Sequence, residues 1–192
     1  MKQAFIFGWT SLLEDTLPTI HACYLKALDA VVSDKLATWT IDDTAKMQGL
    51  AQEDIWNNEA LWGVCGKEAK EVFYRYFSDA PLAQINPLAH EMLCRLDKKR
   101  ARMYIVSMKT KEFMLKEVCA AGIADFPRAY FAPDGKCRQS RKFLLQQALH
   151  TIGWGYDRIV VMAGAGYKEA AESLGCCFIE ANEENFKTLD LL

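Results

Sequence analysis

The sequence predicts an α/β fold in which a mostly parallel sheet lies between helical layers and a helical insert follows the first strand. Three observations carry this. Short apolar runs rich in β-branched residues alternate with helical patterns from residue 86 onward. A run of the same kind, "AFIF" at 4–7, opens the chain. Between 16 and 85, apolar residues recur at helical spacing and no convincing strand occurs. Strands that alternate with helices are joined by crossovers, and crossovers cover both faces of a parallel sheet.

Each element has a local cause. The strand at 4–7 runs into a small-residue turn and then an acidic, capped helix start. "TLPTIHACYLKALDAVV", "QEDIWNNEALWG" and "GKEAKEVFYRYFSDA" supply the helices of the insert. Their aromatics, Trp56, Trp62, Phe73, Tyr74, Tyr76 and Phe77, read as the insert's own core. A helix over 86–100 places Pro87 in its first turn, where a missing N–H costs nothing. A strand at 102–108 follows, then a helix over 109–122 and a weaker strand at 128–132. A helix over 138–153, a strand at 157–165, a helix over 166–175 and a weaker strand at 176–180 complete the chain. Gly122, Gly153 and Gly175 suit helix ends, which often close in a left-handed conformation. The division expected is 1–15 with 86–192 as the sheet domain, and 16–85 as the insert.

Composition removes several functions from consideration. The 192 residues are 51% hydrophobic and 25% charged, enough for an ordinary core. A net charge of −2 argues against nucleic-acid or anionic-membrane partners, and the basic run at 98–102 reads as a helix end that favours cations. No apolar run approaches the roughly 18 residues that span a bilayer. The start is too short and too lightly charged for a signal peptide, and Gly8 and Glu14 interrupt it. Seven cysteines, an odd number without a CxxC pair, read as reduced thiols of a cytoplasmic protein. Histidines at 21, 90 and 150 are scattered, which gives a zinc site little support.

The order strand, helical insert, alternating strands and helices resembles the haloacid dehalogenase superfamily. The likeness is to members with a helical cap, of the phosphoglycolate phosphatase and β-phosphoglucomutase type. It implies a three-layer Rossmann-like core with 16–85 as the cap. "FIFGWTSLLEDTLP" is similar to the family's first motif, F-D-x-D-G-T-L-x-D-S, through Phe7, Leu13, Asp15 and Thr16. "YIVSMK" resembles the second, a strand ending in a hydroxyl residue, here Ser107. "GKCRQSRKFLLQQAL" resembles the third, with Lys136 as the better match to its lysine and Lys142 as the fallback. "VVMAGAGYKEAAESLGC" resembles the fourth, V-G-D-S followed by a further aspartate.

At the places where the family keeps carboxylates, this chain does not. The resemblance puts Gly8 at the nucleophilic aspartate, Thr10 at the acid–base aspartate and Leu12 at a small threonine. Ala165 stands at the metal-binding aspartate, with Tyr167 and Lys168 where a further acid is expected. Glycine has no side chain with which to attack phosphorus. Mg²⁺ prefers carboxylate, carbonyl and water oxygens, so losing these aspartates removes its anionic ligands. Phosphate-monoester hydrolysis needs on the order of 20 kcal/mol of barrier lowering, beyond what isolated hydrogen-bond donors supply. Thr10 has no histidine near it in sequence to act as a base, and Asp15 reads as a helix-start or hinge residue.

What the reading keeps is an anion-binding half without catalytic residue, metal or cofactor. Ser11 in the first turn, Ser107 and Lys136 are its expected contacts, with backbone N–H groups of the turn. Lys109, Arg138 and Arg141 add positive field or are solvated helix-end charges. The expected function is a catalytically degenerate binding or regulatory protein with a phosphorylated small molecule or a protein as partner. The alternative is an active hydrolase of the family with a rebuilt site.

Overall fold

In the computed structural model, which describes residues 2–48, 52–133 and 140–189, the chain forms two compact units. They are Met1–Glu14 with Leu82–Leu192, and Asp15–Pro81. The chain begins with β1 (Gln3–Gly8), followed in the second unit by α1 (Leu17–Val31), α2 (Ile41–Gln48), α3 (Gln52–Trp56), α4 (Glu59–Trp62) and α5 (Gly66–Asp79). It returns through α6 (Pro87–Lys98), β2 (Arg102–Val106), α7 (Lys111–Ala120), β3 (Ala129–Phe131) and α8 (Arg141–Ile152). Then come β4 (Arg158–Ala163), α9 (Lys168–Ser173), β5 (Cys177–Glu180) and α10 (Glu183–Thr188).

The sheet runs β3-β2-β1-β4-β5, and every neighbouring pair is parallel. This is the α/β class expected, with β1 in the middle. Strand residues alternate between faces, so each central strand feeds two cores. Phe5, Phe7, Met103, Ile105, Val160 and Met162 pack with α6, α7 and α10 on one face. Ala4, Ile6, Tyr104, Val106, Val161 and Ala163 pack with α8 and α9 on the other. The helix α10 was not foreseen. Its sequence offers only Phe186 and Leu189 as apolar anchors, too few to reveal a period, yet both are buried and Asn182 caps the helix by accepting the Asn185 N–H at 2.9 Å.

The chain leaves and re-enters the sheet unit at one place. Leu13 bridges Ile85, the Glu14 N–H donates to the Gln84 carbonyl at 2.9 Å, and the Asn86 N–H donates to that of Leu12 at 2.9 Å. With its ends tied side by side, a long insertion disturbs the sheet little.

In the helical unit, Tyr24 is the centre of an aromatic cluster, 4.8 Å from Phe73 between ring centroids and 5.8 Å from Trp56. Trp56, Trp62 and Phe73 are buried, as expected of a core, and Tyr74 and Phe77 pack against them. Tyr76 is not part of that core. It is exposed, with the Lys26 ammonium 5.8 Å from its ring centroid. Upstream of α2, Thr40 and Asp43 form a reciprocal cap. The Thr40 N–H and hydroxyl donate to the Asp43 carboxylate at 3.1 and 2.7 Å, and the Asp43 N–H donates to the Thr40 hydroxyl at 3.3 Å. These bonds and Lys46 hold the Asp43 carboxyl down at about 2, against an ordinary 3.8. A depressed folded pKa means the stabilisation is present above the unfolded value and is lost as pH falls from there towards about 2. Asp43→Asn should remove that acid-range loss, read as a flattened pH dependence of thermal unfolding.

Among the described residues, no helix is long and apolar enough to cross a membrane.

Candidate functional site

Open parallel sheets present ligands at the C-terminal ends of their strands, and the residues singled out by sequence mostly lie there. Gly8 ends β1 and is buried, paired with Val106 of β2 on one side. On its other side is β4, where Phe7 is in register with Met162, so Gly8 stands beside Ala163. A methyl added at Gly8 would lie 2.7 Å from the Ala163 Cβ, 3.3 Å from its Cα and 3.4 Å from the Ser11 hydroxyl. Side-chain carbons do not approach that closely. The position holds a glycine because the neighbouring strand leaves room for nothing more.

The segment after Gly8, Trp9–Leu12, is a 3-10 turn. Ser11 turns back to the strand ends, where its hydroxyl oxygen accepts the Gly164 N–H at 2.7 Å. Thr10 is exposed and Leu12 is buried in the core. Ala165 is exposed at the start of a short turn, Ala165–Tyr167. The residues that meet Gly8 and Ser11 are therefore Ala163 and Gly164.

Beneath the turn lies a network that sequence reasoning missed. Trp9 is fully buried, and its indole N–H donates to the Glu117 Oε2 at 2.7 Å. The other carboxylate oxygen of Glu117 accepts from the Lys109 ammonium at 2.6 Å. Glu117 has 1% of its side chain exposed and Lys109 has 12%. Burial lowers the Lys109 pKa from its ordinary 10.5, and the Glu117 charge partly restores it. Lys109, expected as part of the site's positive field, is thus engaged by an internal carboxylate. One signal for Glu117 was present. It stands in the apolar stripe of α7 beside Met114 and Val118, where a glutamate needs a partner.

Ser107 follows β2 but is 1% exposed, and its hydroxyl oxygen accepts the Lys109 N–H at 3.1 Å. Lys136 and Arg138 lie outside the described residues. Arg141, in the first turn of α8, places its guanidinium 5.6 Å from the centroid of the buried Tyr167 ring. Burial pushes the Tyr167 hydroxyl up to about 12 despite Arg141. Lys142 is exposed. Asp15 belongs to the helical unit, where its carboxylate accepts the Leu17 N–H at 2.9 Å at the start of α1. His21 pairs with Thr44 in the helical unit, His90 lies 3.7 Å from the Cys94 sulfur on α6, and His150 is exposed on α8.

No family model and no curated protein sequence matches the chain. Solved structures do. A Clostridium difficile protein assigned as a phosphatase superposes with a TM-score of 0.78 at 14% identity, over 98% of each chain. A haloacid dehalogenase-like hydrolase from Streptococcus pneumoniae gives 0.74 at 15% identity, over 97% of this chain and 91% of that one. The fold is that of the haloacid dehalogenase-like hydrolases. Protein tyrosine kinase A of Mycobacterium tuberculosis shares it too, with a TM-score of 0.67 at 18% identity over 93% of this chain and 83% of that one. One fold therefore carries proteins of different names, and chemistry must be argued from side chains.

Hydrolases of the haloacid dehalogenase type imply a divalent ion at these strand ends. The described residues do not fit one. Gly8, Thr10 and the segment 163–165 supply no carboxylate. Glu117, the buried carboxylate near the turn, has one oxygen on Trp9 and the other on Lys109. Among the described residues, no three of His, Cys, Asp and Glu come together as a metal site. Mg²⁺ needs several oxygen ligands in an octahedron, with carboxylate charge to offset its dehydration.

Proposed function

We propose that this chain is a non-catalytic relative of the haloacid dehalogenase-like hydrolases, acting as a binding or regulatory protein. One observation carries the reading: the place of the nucleophile is Gly8, and Ala163 stands 2.7 Å from where its first side-chain carbon would be. A nucleophilic carboxylate has been replaced by packing. On this reading Gly8, Thr10 and Ala165 are the degenerate catalytic positions, 16–85 is the helical cap domain, and 1–15 with 86–192 is the core domain. The protein is cytoplasmic, in keeping with the free thiols of Cys23, Cys65, Cys94, Cys119, Cys176 and Cys177.

The ligand class proposed is a phosphorylated small molecule or an anionic group on a protein partner, bound without metal. Ser11, Ser107 and Lys136 are its contacts. Two features support this. The hydroxyl oxygens of Ser11 and Ser107 already accept backbone N–H groups, which leaves their hydrogens to donate outward. The described ends of β1, β2 and β4 carry no carboxylate that would repel an anion, and Glu180, at the end of β5, is the acid beside them. Ser107 is 1% exposed and Ser11 is half-buried. Isothermal titration against a panel of phosphate esters tests the proposal. Lys136→Ala should weaken binding by about 1.5–3 kcal/mol, the range for a hydrogen bond to a charged group. Lys187→Ala, an exposed side chain on α10, should leave it unchanged. Equal losses from both would indicate nonspecific attraction, and no binding by any ester would overturn the anion site.

A further inference from the structure

The opposite edge of the sheet carries a feature that the strand-end site does not use. Arg128 immediately precedes β3, Arg102 opens β2, Lys2 precedes β1 and Arg158 opens β4. All four strands are parallel and adjacent in the order β3-β2-β1-β4. Their starts therefore form one row of cations, spanning roughly 14 Å at about 4.8 Å per strand. Arg128, Arg102 and Lys2 are exposed, and Arg158 is half-buried with its guanidinium donating to the Cys177 sulfur at 3.0 Å. Acids on the same edge are Asp97, Asp125 and Asp157, and the Asp157 carboxylate accepts the Lys2 backbone N–H at 2.7 Å. Lys98 and Arg100, leading into β2, add further positive charge. The edge is basic although the chain as a whole carries −2.

The loop entering β4 projects a tryptophan from this edge. Trp154 is fully exposed, at 103%. Gly153 and Gly155 flank it with φ of 70° and 105°, a region that residues with a Cβ disfavour, so the turn is shaped to hold the indole out. Two residues on, the Tyr156 ring is covered by the Arg102 guanidinium at 5.6 Å, which joins the aromatic loop to the cation row. Exposure of one apolar side chain is ordinary, and what sets Trp154 apart is its place beside the cation row.

We infer that this edge is a docking surface for an acidic protein segment, with Trp154 as its apolar anchor and Arg128, Arg102 and Lys2 as its charge contacts. Tryptophan and arginine are the residues that dominate protein interfaces when they stand together. The overall negative charge opposes polyanions such as nucleic acid or an anionic bilayer, whose fields act on the whole molecule. A peptide with a local run of Asp and Glu matches a local basic row.

The test is selection of a random peptide display library with the full-length chain as bait. Selected peptides are then synthesised and titrated by fluorescence anisotropy beside phosphatidylserine vesicles and a single-stranded oligonucleotide. The selected peptides should be net acidic with at least one apolar residue. Trp154→Ala should weaken them by about thirtyfold, the size of a hot-spot truncation, and Arg102→Glu by roughly tenfold. Phe143→Ala, exposed elsewhere on α8, should have no effect. Because Trp154 is outside the core, Trp154→Ala should melt at the temperature of the parent, which shows that a loss of binding is not a loss of fold. The inference is overturned if no peptide is selected, if those selected are not acidic, if Trp154→Ala binds as the parent does, or if vesicles or the oligonucleotide bind instead.

Discussion

Glu117→Ala should lower stability by about 3–5 kcal/mol, the cost of stranding one member of a buried ion pair. The substitution leaves the Lys109 ammonium at 12% exposure without its carboxylate, and the buried indole N–H of Trp9 without an acceptor. Removing the whole network tells a different story. Lys109→Met with Glu117→Leu and Trp9→Phe replaces every polar group by an apolar one of similar size, and should cost far less than Glu117→Ala alone. The pH dependence has a definite sign. Burial holds the folded pKa of Lys109 below its ordinary 10.5, so between the two values the unfolded chain binds more protons. The contribution of Lys109 to stability therefore rises with pH across that window, and Lys109→Met should abolish the rise. Denaturant unfolding measures both effects. A Glu117→Ala loss below about 1 kcal/mol would remove the network from the account.

Gly8→Ala should destabilise by about 1–3 kcal/mol, because one methyl must enter a space already closed by the Cβ and Cα of Ala163. Adding Ala163→Gly to it should recover part of that loss, since the two methyls compete for one place. The recovered part is the coupling energy of a double-mutant cycle. Gly8→Asp should be worse than Gly8→Ala, as it adds an unpaired buried charge to the same clash. It follows that restoring the carboxylates, with Gly8→Asp, Thr10→Asp and Ala165→Asp together, should yield weak phosphatase activity at best. Displacement of a reacting group by about 1 Å can cost on the order of a hundredfold, and the exposed Ala165 stands one residue beyond the Gly164 that meets Ser11. Additive losses in the Gly8–Ala163 cycle would show that the clash is not what fixes glycine at this position.

The layer architecture was legible because each strand is a short apolar run and each crossover helix shows its stripe, from 86 to the last strand. Helix α10 was not, because Phe186 and Leu189 find their partners only in the folded core. At the site, glycine at position 8 was visible, but the reason for it was not. That reason is the register of β1 against β4, a tertiary fact that places Ala163 beside Gly8. Register also explains why Ala163 and Gly164 meet the first turn, whereas motif spacing pointed to Ala165. Lys109 was legible as a charge near the strand ends. Its partner lies eight residues further along α7 and required the helix to be laid against the turn.

The central claim is that phosphoryl transfer has been lost, and the most direct measurement is turnover. Purified chain at high concentration, with Mg²⁺ and a panel of phosphate esters, should release phosphate no faster than buffer does. Mg²⁺-dependent release that persists through repurification and falls with Thr10→Ala would contradict the account, and would show that the strand ends carry a rebuilt catalytic site.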